Sequence, residues 1–118
     1  MMNVPEPQDL EETEADQFSR EVEEAAESDR PYVLHLKKPI VLQSGEPIER
    51  LTFAPLEAGH MADLPVDKSR MVVGDFLKIA VKLTGQPPRV VHKVRGDDWV
   101  RVVEIVATFM GGSPATGE

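Results

Sequence analysis

The sequence predicts a small α+β domain, in which an N-terminal β-hairpin packs on three or four short helices and a disordered acidic arm precedes both. Three observations support this fold class. An acidic segment poor in large apolar side chains fills residues 1–30, two β-prone stretches flank a turn within residues 32–53, and apolar residues recur at helical spacing from residue 68 to residue 110. A chain of 118 residues has room for one domain.

The acidic arm, residues 1–30, holds eleven Asp or Glu and two Arg, whereas residues 31–118 hold eleven Lys or Arg and ten Asp or Glu. The net charge of −8 therefore originates in the arm. Its apolar side chains are too few to offset an ordering entropy of about 1–2 kcal/mol per residue, so we expect disorder. Phe18, Val22 and Ala25 share one helical face, however, which leaves open a helix that forms on a partner.

The domain itself is expected to span residues 31–112, followed by a flexible tail, residues 113–118. Residues 32–42 are β-prone, residues 43–47 have turn chemistry, and residues 48–53 are β-prone again, which predicts the hairpin. Pro39 cannot donate a ladder hydrogen bond, so the first strand should lie at an edge or be broken there.

Helices are predicted over residues 56–64, 68–84, 89–94 and 99–110, the third of them as a short helix or turn. The second carries an apolar stripe and ends at Gly85, a suitable C-cap. Asp97 or Asp98 is expected to cap the last helix. The stripe consists of Val72, Phe76, Ile79, Ala80 and Leu83. The expected core consists of Leu34, Leu51, Phe53, Phe76, Ile79, Leu83, Val103 and Val106.

The last helix has only one narrow polar line, formed by Arg101, Glu104 and Thr108. Its β-branched residues also suit a strand, but apolar and polar residues do not alternate strictly, which favours a helix. Such a helix is either the central helix of the core or lies partly against another chain. On the second alternative, the partner-binding residues are predicted to be Trp99, Ile105, Phe109 and Met110.

No motif in the chain predicts catalysis, so an enzyme and a cofactor are not expected. The chain lacks cysteine, and its three histidines have no metal-site spacing. The glycines do not group into a phosphate-binding loop. The acidic arm argues against nucleic acid as a partner, and no apolar run is long enough to span a membrane. We expect a cytosolic protein.

The order of these features resembles the phage tail assembly chaperone family of Mu-like phages. The resemblance covers about residues 32–112 and depends on the order and spacing of its parts. They are a strand with Pro39, a turn with Gly45, a second strand ending in Leu51-Thr52-Phe53, and a Pro before a helix. Phe76-Leu77-Lys78-Ile79-Ala80, Leu83-Thr84-Gly85-Gln86-Pro87 and an Asp-led final helix ending in Phe109-Met110 follow in the family's order. The acidic arm departs from the pattern.

The resemblance implies a chaperone that coats the tape measure protein until tail tube subunits polymerise around it. Its partners would be the tape measure protein, the tail tube protein and a longer, frameshifted form of itself, and a homo-oligomer is compatible with the sequence. It would act in the host bacterial cytoplasm and be absent from the mature virion. The alternative function is a structural tail or head-completion component that stays in the particle.

Overall fold

The computed structural model describes residues 13–62 and 70–111. In this part of the chain the fold is α+β, as predicted, with an antiparallel two-stranded hairpin and helices packed on it. Residues 1–12, 63–69 and 112–118 lie outside the described residues. In chain order, the elements are α1 (Glu14–Glu27), β1 (Tyr32–Val41), β2 (Pro47–Phe53), a 3-10 helix (Ala58–Met61), α2 (Val73–Thr84), α3 (Pro88–Val91) and α4 (Asp97–Phe109).

The hairpin forms in the predicted place, with Leu34 opposite Leu51 and Ile40 opposite Ile48. Its ladder is irregular between His35 and Ile40, where residues 36–39 of β1 face Glu49 alone. Pro39 lies in this bulge, in agreement with the expectation that a residue without an N–H interrupts the strand. The bulge leaves consecutive backbone N–H groups, those of Lys37 and Lys38, directed away from β2 and towards α4.

The prediction of disorder throughout residues 1–30 is wrong for residues 14–27, which form α1. The hydroxyl of Thr13 caps this helix by accepting a hydrogen bond from the N–H of Asp16 at 3.0 Å. Phe18, Val22 and Ala25 are buried on one face, and the helix packs on α4. The helical face that the sequence left open as partner-dependent is therefore covered within the chain itself.

Helix α2 begins at Val73, later than the expected residue 68, and ends as predicted at Gly85, whose φ is 71°. The carboxylate of Asp75 accepts a hydrogen bond from the N–H of Val72 at 3.0 Å and so helps to define the start. Val72 lies before the helix and is 64% exposed, so the stripe predicted to begin there is shorter by one residue. The helix expected over residues 56–64 is reduced to the short 3-10 helix in its described part.

Helix α4 begins at Asp97, so neither Asp97 nor Asp98 is the cap that the sequence predicted. Asp98 is 1% exposed, and its carboxylate accepts hydrogen bonds from the N–H groups of Lys37 and Lys38 at 3.0 and 2.9 Å. The N-cap position is Gly96, which has no side chain to offer. The strong local preference for Asp before a helix is overridden here by two unsatisfied backbone donors of the β1 bulge.

The core lies between the inner face of the hairpin and helices α1, α2, α3 and α4. Six of the eight expected core residues are buried, and Phe76 and Val103 are only half-buried. The residues buried in the core are Phe18, Val22, Leu34, Leu36, Ile40, Leu51, Phe53, Ile79, Ala80, Leu83, Val90, Val91, Val102, Ile105 and Val106.

Candidate partner-binding groove

The four residues predicted to bind a partner do not form one open surface. Ile105 is completely buried in the core, so it cannot contact a partner unless the domain opens. Trp99, Phe109 and Met110 are half-buried and pack against the same core. The prediction is therefore corrected for Ile105, whereas for the other three, which pack against the core with part of their surface exposed, it stays a prediction.

The polar line of α4 is covered by α1. The hydroxyl of Ser19 donates a hydrogen bond to the carboxylate of Glu104. The guanidinium of Arg101 lies 5.7 Å from the centre of the Phe18 ring and 3.7 Å from a carboxylate oxygen of Glu14. Because α1 supplies partners for this line, α4 is the central helix of the core, which was the first of the two alternatives that its pattern allowed.

An apolar groove lies elsewhere, on the outside of the domain between α2 and α3. It has a volume of about 470 Å³ and is lined by Gly74, Leu77, Lys78, Val81, Lys82, Pro88 and His92. Leu77 and Val81 form its floor on the α2 side, and Pro88 faces them from α3. Neither an Asp nor a Glu is among the lining residues that the structure describes. The groove is thus apolar in its floor and basic along its edges.

Helix α2 produces this groove because it has two apolar faces. Ile79, Ala80 and Leu83 are buried in the core, whereas Leu77 and Val81, at a spacing of four, lie on a second face that packs on the edge of the core and borders the groove. A Cβ atom added to Gly74, on that second face, would meet nothing within 4 Å, so the groove is open at this end.

The position of α3 follows from the turn that precedes it. Gly85 adopts a left-handed conformation that L side chains rarely take, and its N–H donates to the carbonyl of Val81 at 2.9 Å. Pro87 and Pro88 then start α3, whose Val90 and Val91 are buried. Burial of these two valines directs Pro88 and His92, four residues apart, towards α2. The sequence contained a signal for the groove in Leu77 and Val81, but the placement of α3 opposite them required the fold.

The edges of the groove are held in place by hydrogen bonds from neighbouring elements. The ammonium of Lys82 donates to the carbonyl of His60 at 3.1 Å, which ties the end of α2 to the 3-10 helix. The imidazole of His60 in turn accepts a hydrogen bond from the N–H of Glu57 at 2.9 Å. At the other side of α2, the N–H of Ala54 donates to the carbonyl of Leu83 at 3.0 Å. These contacts fix α2 relative to the hairpin and the burial of Val90 and Val91 fixes α3, so the groove is preformed.

The other hollows of the surface have a different character. One lies between the hairpin turn and α3, with Arg89 and Lys93 among its lining residues. Another lies between α1 and α4 and is lined by charges that are paired with each other, including those of Glu14 and Arg101. Within the described residues, no group of His, Asp or Glu is arranged to hold a metal ion, and no helix is long and apolar enough to cross a membrane.

Comparison of the chain with protein-family models, with characterised proteins and with solved structures gives no match.

Proposed function

We propose that the protein is a phage tail assembly chaperone, which binds helical segments of the tape measure protein and supports tail tube polymerisation. The observation that carries this proposal is the preformed apolar groove between α2 and α3. The order of hairpin, Gly85-capped helix and Asp-led final helix, on which the resemblance depends, supports it as well. In this proposal the partner surface is the groove, because the end of α4 is used within the core.

The groove has the chemistry that a helical partner requires. From Gly74 to Lys82 it follows α2 over about 12 Å at a helical rise of about 1.5 Å per residue, which corresponds to roughly two turns of a partner helix. A partner would place apolar side chains at positions i, i+3 or i+4 and i+7 on the floor. The tape measure protein is long and helical, and a chaperone that covers such a stripe would keep it from aggregating.

Gly74 offers a direct test. Replacement Gly74→Leu places a bulky side chain at the open end of the groove, where a Cβ atom meets nothing within 4 Å, and it removes a glycine from the first turn of α2. We expect the variant to fold with at least the parent's thermal stability and to lose co-purification with the tape measure protein when the two are co-expressed. Val100→Leu is the matched control, because Val100 is 63% exposed on α4 and lies outside the groove. Unchanged co-purification of Gly74→Leu would contradict the groove as the binding surface.

A second experiment separates the chaperone from the structural component. Mass spectrometry of purified phage particles should detect the tube and tape measure proteins but not this chain, because a chaperone is displaced when the tube polymerises. Stoichiometric retention of the chain in the particles would contradict the proposal and favour a structural role.

A further inference from the structure

Acidic and basic residues are concentrated in different elements of the described part of the chain. Helix α1 carries six Asp or Glu against the single Arg20. From residue 70 to residue 96, which covers α2 and α3, the chain has six Lys or Arg and the single acid Asp75. These basic residues are Arg70, Lys78, Lys82, Arg89, Lys93 and Arg95. The groove between α2 and α3 thus lies in the basic part of the molecule.

The ammonium of Lys78, at the edge of the groove, has no acidic partner within the described residues. Asp75, the acid on the same helix, accepts a hydrogen bond from the N–H of Val72, before the helix begins. An exposed ammonium beside an apolar floor favours a ligand that combines apolar and negatively charged groups.

We infer that the groove selects an acidic amphipathic helix, with apolar side chains on the Leu77 and Val81 floor and carboxylates beside Lys78 and His92. This inference deepens the proposed function and rests on it, since it names the chemistry of the tape measure segments that are bound. A helix fits better than a nucleic acid, because the floor is apolar and phosphate recognition needs a polar surface. A carboxylate on one flank of the partner's apolar stripe would meet the ammonium of Lys78 on α2, and a carboxylate on the other flank would meet the imidazole of His92 on α3, which can donate a hydrogen bond.

Within residues 13–62 and 70–111, a second copy of this chain does not offer such a helix. Its acidic helix is α1, and the apolar face of α1, with Phe18 and Val22, is buried against its own domain. Docking of α1 into the groove of another copy would require that face to leave the core. Since α1 is held in its own core, the groove is assigned to a helix of another protein.

The test uses the full chain and two synthetic helical peptides of about 18 residues with the same Leu stripe. One peptide has Glu on both flanks of the stripe, and the other has Lys at the same positions. Fluorescence anisotropy at about 0.05 M salt should give at least about tenfold tighter binding of the Glu peptide, and the difference should shrink at about 0.5 M salt, where charges are screened over shorter distances. Equal affinities for the two peptides at low salt would overturn the inference.

Two charge-reversal variants test whether the preference for the Glu peptide arises at the groove. Lys78→Glu should weaken binding of the Glu peptide about threefold to tenfold and strengthen binding of the Lys peptide, because it reverses a charge at the edge of the groove. Lys93→Glu makes the same change of charge on the other side of α3, where Lys93 faces the hairpin turn, and should change either affinity less than about twofold. Equal effects of the two variants would indicate attraction by net charge alone and would overturn the inference.

The outcomes also separate this inference from the proposed function. If Gly74→Leu abolishes capture of the tape measure protein but the peptides bind equally well, the function stands and the selection of acidic helices fails. If the Glu peptide is preferred but the tape measure protein is not captured, the acidic-helix site stands and the function fails. Sedimentation of the free chain should show a monomer across concentrations, and a dimer dissociated by the Glu peptide would put a second copy in the groove and overturn the inference.

Discussion

The carboxylate of Asp98 lies between the β1 bulge and the first turn of α4, where it accepts hydrogen bonds from two consecutive backbone N–H groups. The guanidinium of Arg101, one turn later in α4, lies 3.8 Å from the same carboxylate. Three sources of positive charge or partial charge therefore surround one buried anion. This arrangement makes the irregularity of β1 a stabilised feature of the fold, because the donors that the ladder leaves unpaired are satisfied from α4.

Replacement Asp98→Asn tests this interpretation. An amide can accept only through its oxygen, so one of the two N–H groups loses its acceptor and faces an NH₂ donor. We expect the free energy of unfolding to fall by about 2–4 kcal/mol in urea denaturation. Asp97→Asn is the matched control, because the adjacent Asp97 has a 78% exposed side chain and only a 3.9 Å contact with the ammonium of Lys37. A similar effect of both replacements would show that the hydrogen bonds to β1 are unimportant.

Tyr32 provides a second residue-scale prediction. Burial raises the pKa of its phenol, and the charge of Glu21 on α1 raises this pKa further. Tyr32 is the only tyrosine of the chain, so absorbance at the tyrosinate band reports it alone. We expect the native titration midpoint above the ordinary value of about 10, and Glu21→Gln should lower it while leaving part of the upward shift, since burial is the larger cause.

The raised pKa of Tyr32 makes the free energy of unfolding depend on pH in the alkaline range. Both states are protonated below the unfolded pKa of about 10, so stability is unaffected there. Above about pH 10 the unfolded chain loses its proton first, and the free energy of unfolding declines until the pH passes the folded pKa. Urea titrations at pH 8, 10 and 11 measure this decline, and Tyr32→Phe should reduce it. A midpoint at or below about 10 in the native protein would contradict the burial of Tyr32 beneath α1.

At the scale of elements, α1 forms where the composition of residues 1–30 predicted disorder. Composition over residues 1–30 averages a segment that lies outside the described residues with a helix that has three buried side chains, Phe18, Val22 and Ala25. Those three are enough because α4 and the hairpin supply the rest of the core in which they are buried. The ring of Phe18 packs edge to face on that of Tyr32, with ring centres 5.8 Å apart. This contact joins the predicted disordered arm to the predicted first strand. Local periodicity indicated the helical face, but whether it is covered depends on a partner about 80 positions further along the chain.

We therefore expect α1 to contribute to stability. Val22→Ser places a hydroxyl in a fully buried position and should lower the free energy of unfolding by about 2–3 kcal/mol. Glu23→Ser, at the next and exposed position, changes the same helix without touching the core and should stay within about 0.5 kcal/mol of the parent. Both are measured by urea denaturation. Amide exchange of the free protein should also show protection at residues 18–26, and indistinguishable stabilities for the two variants would contradict the packing of α1.

The elements that the sequence predicted correctly are those whose pattern is local. The hairpin follows from alternation on both sides of Gly45, and the end of α2 follows from Gly85. The role of Asp98 and the groove were not predictable in the same way, because each depends on two elements that are distant in sequence. Phe76 shows the same limit within one helix, since its place in the stripe indicated burial whereas the assembled domain leaves it half-buried.

At the scale of the whole molecule, the core is continuous across every helix and both strands of the described residues except the 3-10 helix. Phe18 and Val22 come from α1, Leu34 and Leu51 from the hairpin, and Ile79, Val91 and Ile105 from α2, α3 and α4. Because no element has a core of its own, partial unfolding would expose apolar surface in the remainder. This argues for one cooperative unit, even though acids are concentrated in α1 and basic residues in residues 70–96.

Cooperativity can be measured with probes that the chain already contains. Trp99 is the only tryptophan and reports on the start of α4, whereas far-UV circular dichroism reports on all helices, including α1. In urea, Trp99 fluorescence and circular dichroism at 222 nm should give the same midpoint and slope, because loss of α1 removes Phe18 and Val22 from the core that also supports α4. The Val22→Ser variant should shift both midpoints equally. A circular dichroism transition that precedes the fluorescence transition would show that α1 unfolds independently, and the domain would then be a hairpin and three helices with α1 as a separately detachable element.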